Sequence, residues 1–153
     1  MRYLIVLFCL WVSGCTNLER NCEGHWTYTP SDWDLDDLAQ LAKAEAAWNA
    51  FAGEGTLTLE AGPSDGICHL SKGSIDFAEE NPTRNGSYHK GTGNVKVRNE
   101  VGEQLANLLI HELGHGLGLP HIEEDGHIMS QEKRSEAFTT ADLALCVEYG
   151  ACR

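Results

Sequence analysis

Four histidines and a methionine fall within one short stretch, HELGHGLGLPHIEEDGHIMS, residues 111–130. His111 and His115 stand four apart, so on a helix their imidazoles leave the same face about one turn apart. Two such ligands reach a single zinc ion at about 2.0–2.1 Å each. Glu112, beside the first histidine, is placed to take a proton from water at the open side of the metal. Gly118 follows His115 by three residues, and His121 follows Gly118 by three. A helix continuing past His115 would carry residue 121 away from the metal. Glycine takes positive φ cheaply, so it can end the helix and turn the chain back, and Pro120 discourages any resumption. The third imidazole then arrives from a new direction. Three protein ligands with a fourth position left for water make a catalytic zinc site rather than a sealed structural one. The five fixed residues of H-E-x-x-H-x-x-G-x-x-H arise by chance in about one chain in a hundred thousand of this length.

These residues need a long helix beneath them and a frame around it. Val101, Leu105, Leu108, Leu109 and Leu113 recur at helical spacing behind Asn99, a residue suited to cap such a helix. Val95 to Arg98 reads as a strand just before it. Further upstream, Trp26-Thr27-Tyr28 alternates up to Pro30 as a first strand. A second helix follows, with Ser31, Asp32 or Asp34 as its cap, Leu35, Leu38, Leu41, Ala42, Trp48 and Ala52 along it, and Gly53 closing it. Thr56 to Glu60 and Ile67 to Leu70 are further strands, separated by the turn Gly62 to Gly66. Residues 71–94, poor in apolar side chains and rich in Gly, Asn and Ser, read as loops around one or two short strands. The expected class is α+β in one domain, residues 25–153.

The 153 residues carry 23 acidic against 11 basic side chains, a formal net charge of −12. With no cluster of Lys and Arg, nucleic acid and a polybasic grip on anionic lipid are excluded as partners. The opening MRYLIVLFCLWVSGC has one positive charge, an apolar run too short to span a bilayer, and a small-residue approach to Cys15. V-S-G-C resembles the lipobox of bacterial lipoproteins. That resemblance implies a signal peptide over residues 1–14, a lipidated Cys15 with a tether to residue 24, and a chain exported and held in the cell envelope, at the outer membrane where the host has one. Membrane contact would be through the lipid on Cys15 alone. An ordinary secretory signal peptide is the alternative. Cys22, Cys68, Cys146 and Cys152 remain in the exported part and suggest two disulfides, with three connectivities open.

His111-Glu112-Leu113-Gly114-His115-Gly116-Leu117-Gly118-Leu119-Pro120-His121 resembles the signature of the metzincin zinc peptidases, and Met129 resembles their Met-turn methionine. The spacing from His121 to Met129, and the segment from Phe138 to Tyr149-Gly150, are most similar to the matrixin branch. The resemblance implies a small catalytic domain, with a mixed twisted sheet, an active-site helix and a C-terminal helix. It implies His111, His115 and His121 as ligands of one Zn2+ and Glu112 as the base in peptide-bond hydrolysis. Met129 would pack beneath the ligands as a flexible apolar floor without binding the metal. A peptide or protein substrate, lying antiparallel to an edge strand sought between Tyr88 and Val97, and a monomeric enzyme are expected.

His127 is set aside as a ligand, and His25, His69 and His89 are isolated. Glu123-Glu124-Asp125 reads as solvated loop ahead of a Ca2+ site. The chain also departs from the matrixin pattern. Ser130-Gln131-Glu132 does not supply the Pro-x-Tyr wall after the Met-turn, so substrate preference does not carry over. Gln131 stands where astacins and serralysins have Tyr. No cysteine-switch propeptide fits between Cys15 and Trp26. Two rival readings stay open: a surface-anchored zinc-binding module without peptidase activity, and a peptidase whose third ligand is Glu132 or Glu136.

Overall fold

The computed structural model describes residues 22–64, 66–73, 85–98 and 104–152. Cys15, the tether to residue 21, and the Asn99 cap with Val101 lie outside the described residues. Those described form, in order, strand β1 (His25–Tyr28), a 3-10 turn at Pro30–Asp32, helix α1 (Leu35–Ala52), strands β2 (Thr58–Ala61), β3 (His69–Lys72), β4 (Gly86–His89) and β5 (Asn94–Val97), and helices α2 (Leu105–Gly116) and α3 (Thr140–Glu148). The strands make one sheet in the order β2-β1-β3-β5-β4. All neighbours run parallel except β4, which pairs antiparallel with β5. This is the α+β class with a mixed sheet.

Of the three candidate caps for α1, Asp34 is the one used. Its carboxylate accepts from the Asp37 backbone N–H at 2.8 Å, and Asp37 answers by accepting from the Asp34 N–H. Gly53, at φ 109°, closes the helix. The buried stripe is Leu41, Ala44, Trp48 and Ala52. Leu35 lies outside it, 84% exposed, because at about 100° per residue its position faces away from that stripe. Asp37 also forms a largely buried ion pair with Lys72 of β3, which ties helix to sheet.

Two strands begin later than the alternation suggests. Thr56 turns back on Gly53 through both its N–H and its hydroxyl, so β2 starts at Thr58. Cys68 is bound to Cys22 and has a positive φ of 47°, so β3 starts only at His69. The second disulfide joins Cys146 to Cys152 and ties the end of α3 to the chain that follows it. The window Tyr88 to Val97, in which the edge strand is sought, holds the end of β4 and all of β5: β5 is interior, between β3 and β4, and among the described residues the two edges of the sheet are β2 and β4.

Helix α2 runs through the middle of the molecule, with Leu105, Leu108, Leu109, Ile110 and Leu113 all buried. Two indoles brace the frame around it. Trp48 of α1 donates from Nε1 to the Ile110 carbonyl at 3.0 Å, and Trp26 of β1 donates to the Gly93 carbonyl at 2.7 Å. Two glycines let the helix come this close. A Cβ on Gly116 would strike the Trp26 ring, and one on Gly114 would lie 2.5 Å from Met129 Sδ and 3.1 Å from Trp48.

Candidate metal centre and cleft

The turn after α2 decides where the third histidine goes. Gly118 has a φ of 92° and donates its N–H to the His115 carbonyl at 3.0 Å. Leu119 donates to the Gly114 carbonyl at 2.9 Å. This pair of bonds is a Schellman ending, which satisfies the last helical carbonyls while reversing the chain. The same turn aims the Leu119 carbonyl back at His115, whose Nδ1 lies 2.8 Å from it. His111 Nδ1 meets the Ile128 carbonyl in the same way at 2.7 Å.

A carbonyl oxygen only accepts, so both Nδ1 atoms carry the proton and both Nε2 lone pairs point into the cleft. There they meet His121. The Nε2 of His121 lies 3.0 Å from that of His115 and 3.3 Å from that of His111. Three nitrogens each at about 2.0–2.1 Å from a tetrahedral zinc would stand about 3.3 Å apart, so the donor set fits the ion. Burial also holds His111 and His115 neutral. Desolvation, with the Arg134 charge next in weight, lowers the His111 pKa to about 2, and desolvation chiefly lowers that of His115 to about 4. Among the described residues, this is the one group of His, Cys, Asp or Glu side chains that converges tightly enough to hold a metal.

Glu112 is 4% exposed and lines the same cleft, a cavity of about 1090 Å³. One wall of the cleft is β4, represented by Gly86, Ser87 and Tyr88, with Asn85 just before it. Gly86 matters there: a Cβ would stand 2.9 Å from Glu112 Oε1 and 2.8 Å from Leu108 Cδ1. Glycine at this point lets the edge strand close over the carboxylate.

Met129 is fully buried, its sulfur against Gly114 under the ligand helix. What holds its turn in place is Asp142, at 1% exposure, whose role the sequence reading did not single out. One carboxylate oxygen of Asp142 accepts from the Ile128 N–H, and the other from the Met129 N–H, both at 3.2 Å. It also accepts from the Thr139 N–H and hydroxyl at 2.8 and 2.7 Å. The signal was there to read, since Thr139-Thr140-Ala141-Asp142 has the spacing of a capping box. Its second task, clamping the Met-turn, depends on a tertiary contact. His127 joins the same network. Because the Thr139 hydroxyl donates to Asp142, His127 Nδ1 donates to Thr139 Oγ1 at 2.7 Å. This imidazole braces the turn and stands apart from the metal cluster.

The remaining candidates are elsewhere. His25 pairs with Glu60 at 3.2 Å on the surface, and His69 contacts the Thr27 hydroxyl. His89 bonds within its own hairpin turn, to Thr92. Glu124 and Asp125 are engaged by His127 and Lys133, and no metal cluster among the described residues includes them. Glu132 and Glu136 line the cleft but do not join the three imidazoles.

The sequence profile of the matrixin peptidases matches residues 23–144, and the chain belongs to the matrixin family. No curated protein matches it significantly.

Proposed function

We propose that the protein is a zinc-dependent endopeptidase that hydrolyses peptide bonds with Glu112 as general base. The observation that carries this reading is the position of Glu112: a buried carboxylate in a large open cleft, on the helix that presents two of three convergent imidazoles. A site that only stored metal has no use for such a base. When bound at the three imidazoles, zinc supplies Lewis acidity, lowering the pKa of a coordinated water to about 7 and polarising the carbonyl to be attacked. The chain does the rest. His111 and His115 are held by the Ile128 and Leu119 carbonyls in the tautomer that leaves Nε2 available. Glu112 accepts a proton on its carboxylate as water attacks, and then delivers a proton to the departing amine. Strand β4 lines the cleft, so an extended peptide can lie along it.

The test pairs zinc-loaded wild type with Glu112→Ala on a diverse peptide library, with new termini read by mass spectrometry. Cuts that require Glu112 support a peptidase. Equal cutting by the variant would sink the mechanism, and no cutting by a folded, zinc-replete wild type would turn the reading to the metal-binding module.

We infer also that the protein is exported and tethered through a lipid on Cys15. The V-S-G-C run supports this, as do two disulfides, which persist in oxidising compartments. Metabolic labelling with a fatty acid should mark the wild type and miss Cys15→Ala. Equal labelling of both would remove the anchor.

A further inference from the structure

The cleft has two ends, and they differ in charge and in how they are built. At the His115 end stands Lys90, exposed, beyond the last residue of β4. At the other end, Gly86 packs against Leu108 and Glu112, and the wall opposite is the segment from Gln131 to Glu136, where the Pro-x-Tyr of matrixins is missing. This segment is stapled to the Met-turn. His127 and Arg134 form a parallel β-bridge, Gly126 donates to the Lys133 carbonyl at 2.7 Å, and Ser135 donates to the His127 carbonyl at 3.1 Å. Its backbone therefore holds Arg134 at a set position.

The Arg134 side chain is 30% exposed, against 80% for neighbouring Lys133, and its Nη2 lies 4.0 Å from Glu112 Oε1. The guanidinium thus stands at ion-pair distance from the general base. Its planar fork has five donors, matched to a carboxylate.

Antiparallel pairing is the more stable way to extend a sheet edge. A peptide paired antiparallel with β4 would have its C-terminal part at the Gly86 end, next to Arg134. We propose that Arg134 is a specificity-determining residue that selects substrates with Asp or Glu just after the scissile bond. The proposal rests on the peptidase reading and adds the substrate class to it. Glu132 and Glu136 also line the cleft, and they and Arg134 are all exposed residues, but Arg134 is the one whose side chain reaches to 4.0 Å from Glu112.

The test uses the zinc-loaded full chain and quenched fluorogenic peptides that differ only in the residue after the cut: Glu, Gln, Leu or Lys. The wild type should favour Glu over Gln by at least about tenfold in kcat/KM. Arg134→Ala should lose that preference, Arg134→Lys keep part of it, and Arg134→Glu shift it to Lys. Lys133→Ala, which removes the same charge one residue away, should leave it unchanged. Equal ratios in wild type and Arg134→Ala would overturn the proposal while leaving the peptidase reading intact. Binding separates the two further. Zinc-loaded Glu112→Gln should hold the uncut Glu peptide more tightly than the Gln peptide, and adding Arg134→Ala should erase the difference. Arg134-dependent binding without wild-type cleavage would sink hydrolysis and substrate selection together, leaving an acid-selective binding cleft. Absence of both would end both readings.

Discussion

The floor and the rim of the cleft are built by different means. In the floor, a backbone carbonyl holds Nδ1 of His111 and another that of His115, Met129 is fully buried, and Asp142 gathers the turn beneath. The rim is made of β4, at the edge of the sheet, and of exposed residues 131–134 joined to the core by a single bridge and a few backbone bonds. Chemistry demands placement within a fraction of an ångström, which packed helices supply, and recognition tolerates the variable surface that loops supply. Substitutions in the floor should therefore cost far more than substitutions in the rim.

The largest expected loss is at Glu112. Replacing it with Ala should lower kcat/KM by about 10³–10⁴-fold while one equivalent of zinc stays bound. His115→Ala should lose metal and activity together, and metal analysis beside kinetics separates the two variants. Asp142→Ala comes next, since it strips partners from the N–H groups of Ile128, Met129 and Thr139. A cost of about 3 kcal/mol is expected in urea denaturation, with Asn recovering part of it as an acceptor. An unchanged midpoint would show that the floor does not depend on this clamp.

Acid should act on the floor as well. His111 and His115 have folded pKa values of about 2 and about 4, below the 6.5 of the unfolded chain, because burial disfavours their charged forms. The unfolded chain thus takes up protons first. Stability of the metal-free protein should be full above about pH 6.5 and fall from there through pH 4 and below. Thermal melts at pH 7.5, 5.5 and 4.5 after metal removal would check this, and a flat midpoint would refute it.

Gly86→Ala tests the seam between floor and rim. The added carbon meets Glu112 and Leu108, so kcat should fall about tenfold with zinc affinity unchanged. Smallest of all, Lys90→Ala on the exposed rim should change stability by no more than about 0.5 kcal/mol, as read by the same denaturation. A rim effect as large as that of Asp142 would erase the distinction between the two regions.

Much of this was legible in the sequence. H-E-x-x-H-x-x-G-x-x-H implied two ligands on one helix face and a turn at Gly118, and the structure has that turn at φ 92°. The end of α1 followed from Gly53, whose capping chemistry is local, while its start was open among Ser31, Asp32 and Asp34 and the structure uses Asp34. Strand starts were less legible, because Cys68 bends only in partnership with Cys22. Gly86 fell within residues 71–94, read only as loops around one or two short strands; it lies in β4, kept small by a carboxylate 26 positions later in the chain.

By itself, then, the sequence determined what depends on neighbours along the chain: helix periodicity, caps, the chain reversal at Gly118, and the kinds of ligand present. Only the tertiary structure decided the disulfide partners, the edge strand, the Asp142 clamp and the placement of Arg134 before Glu112. Apart from the Cys146–Cys152 bridge, whose partners stand six residues apart, each of these joins residues distant in sequence, and such contacts exist only once α2 has been packed against the sheet and α1.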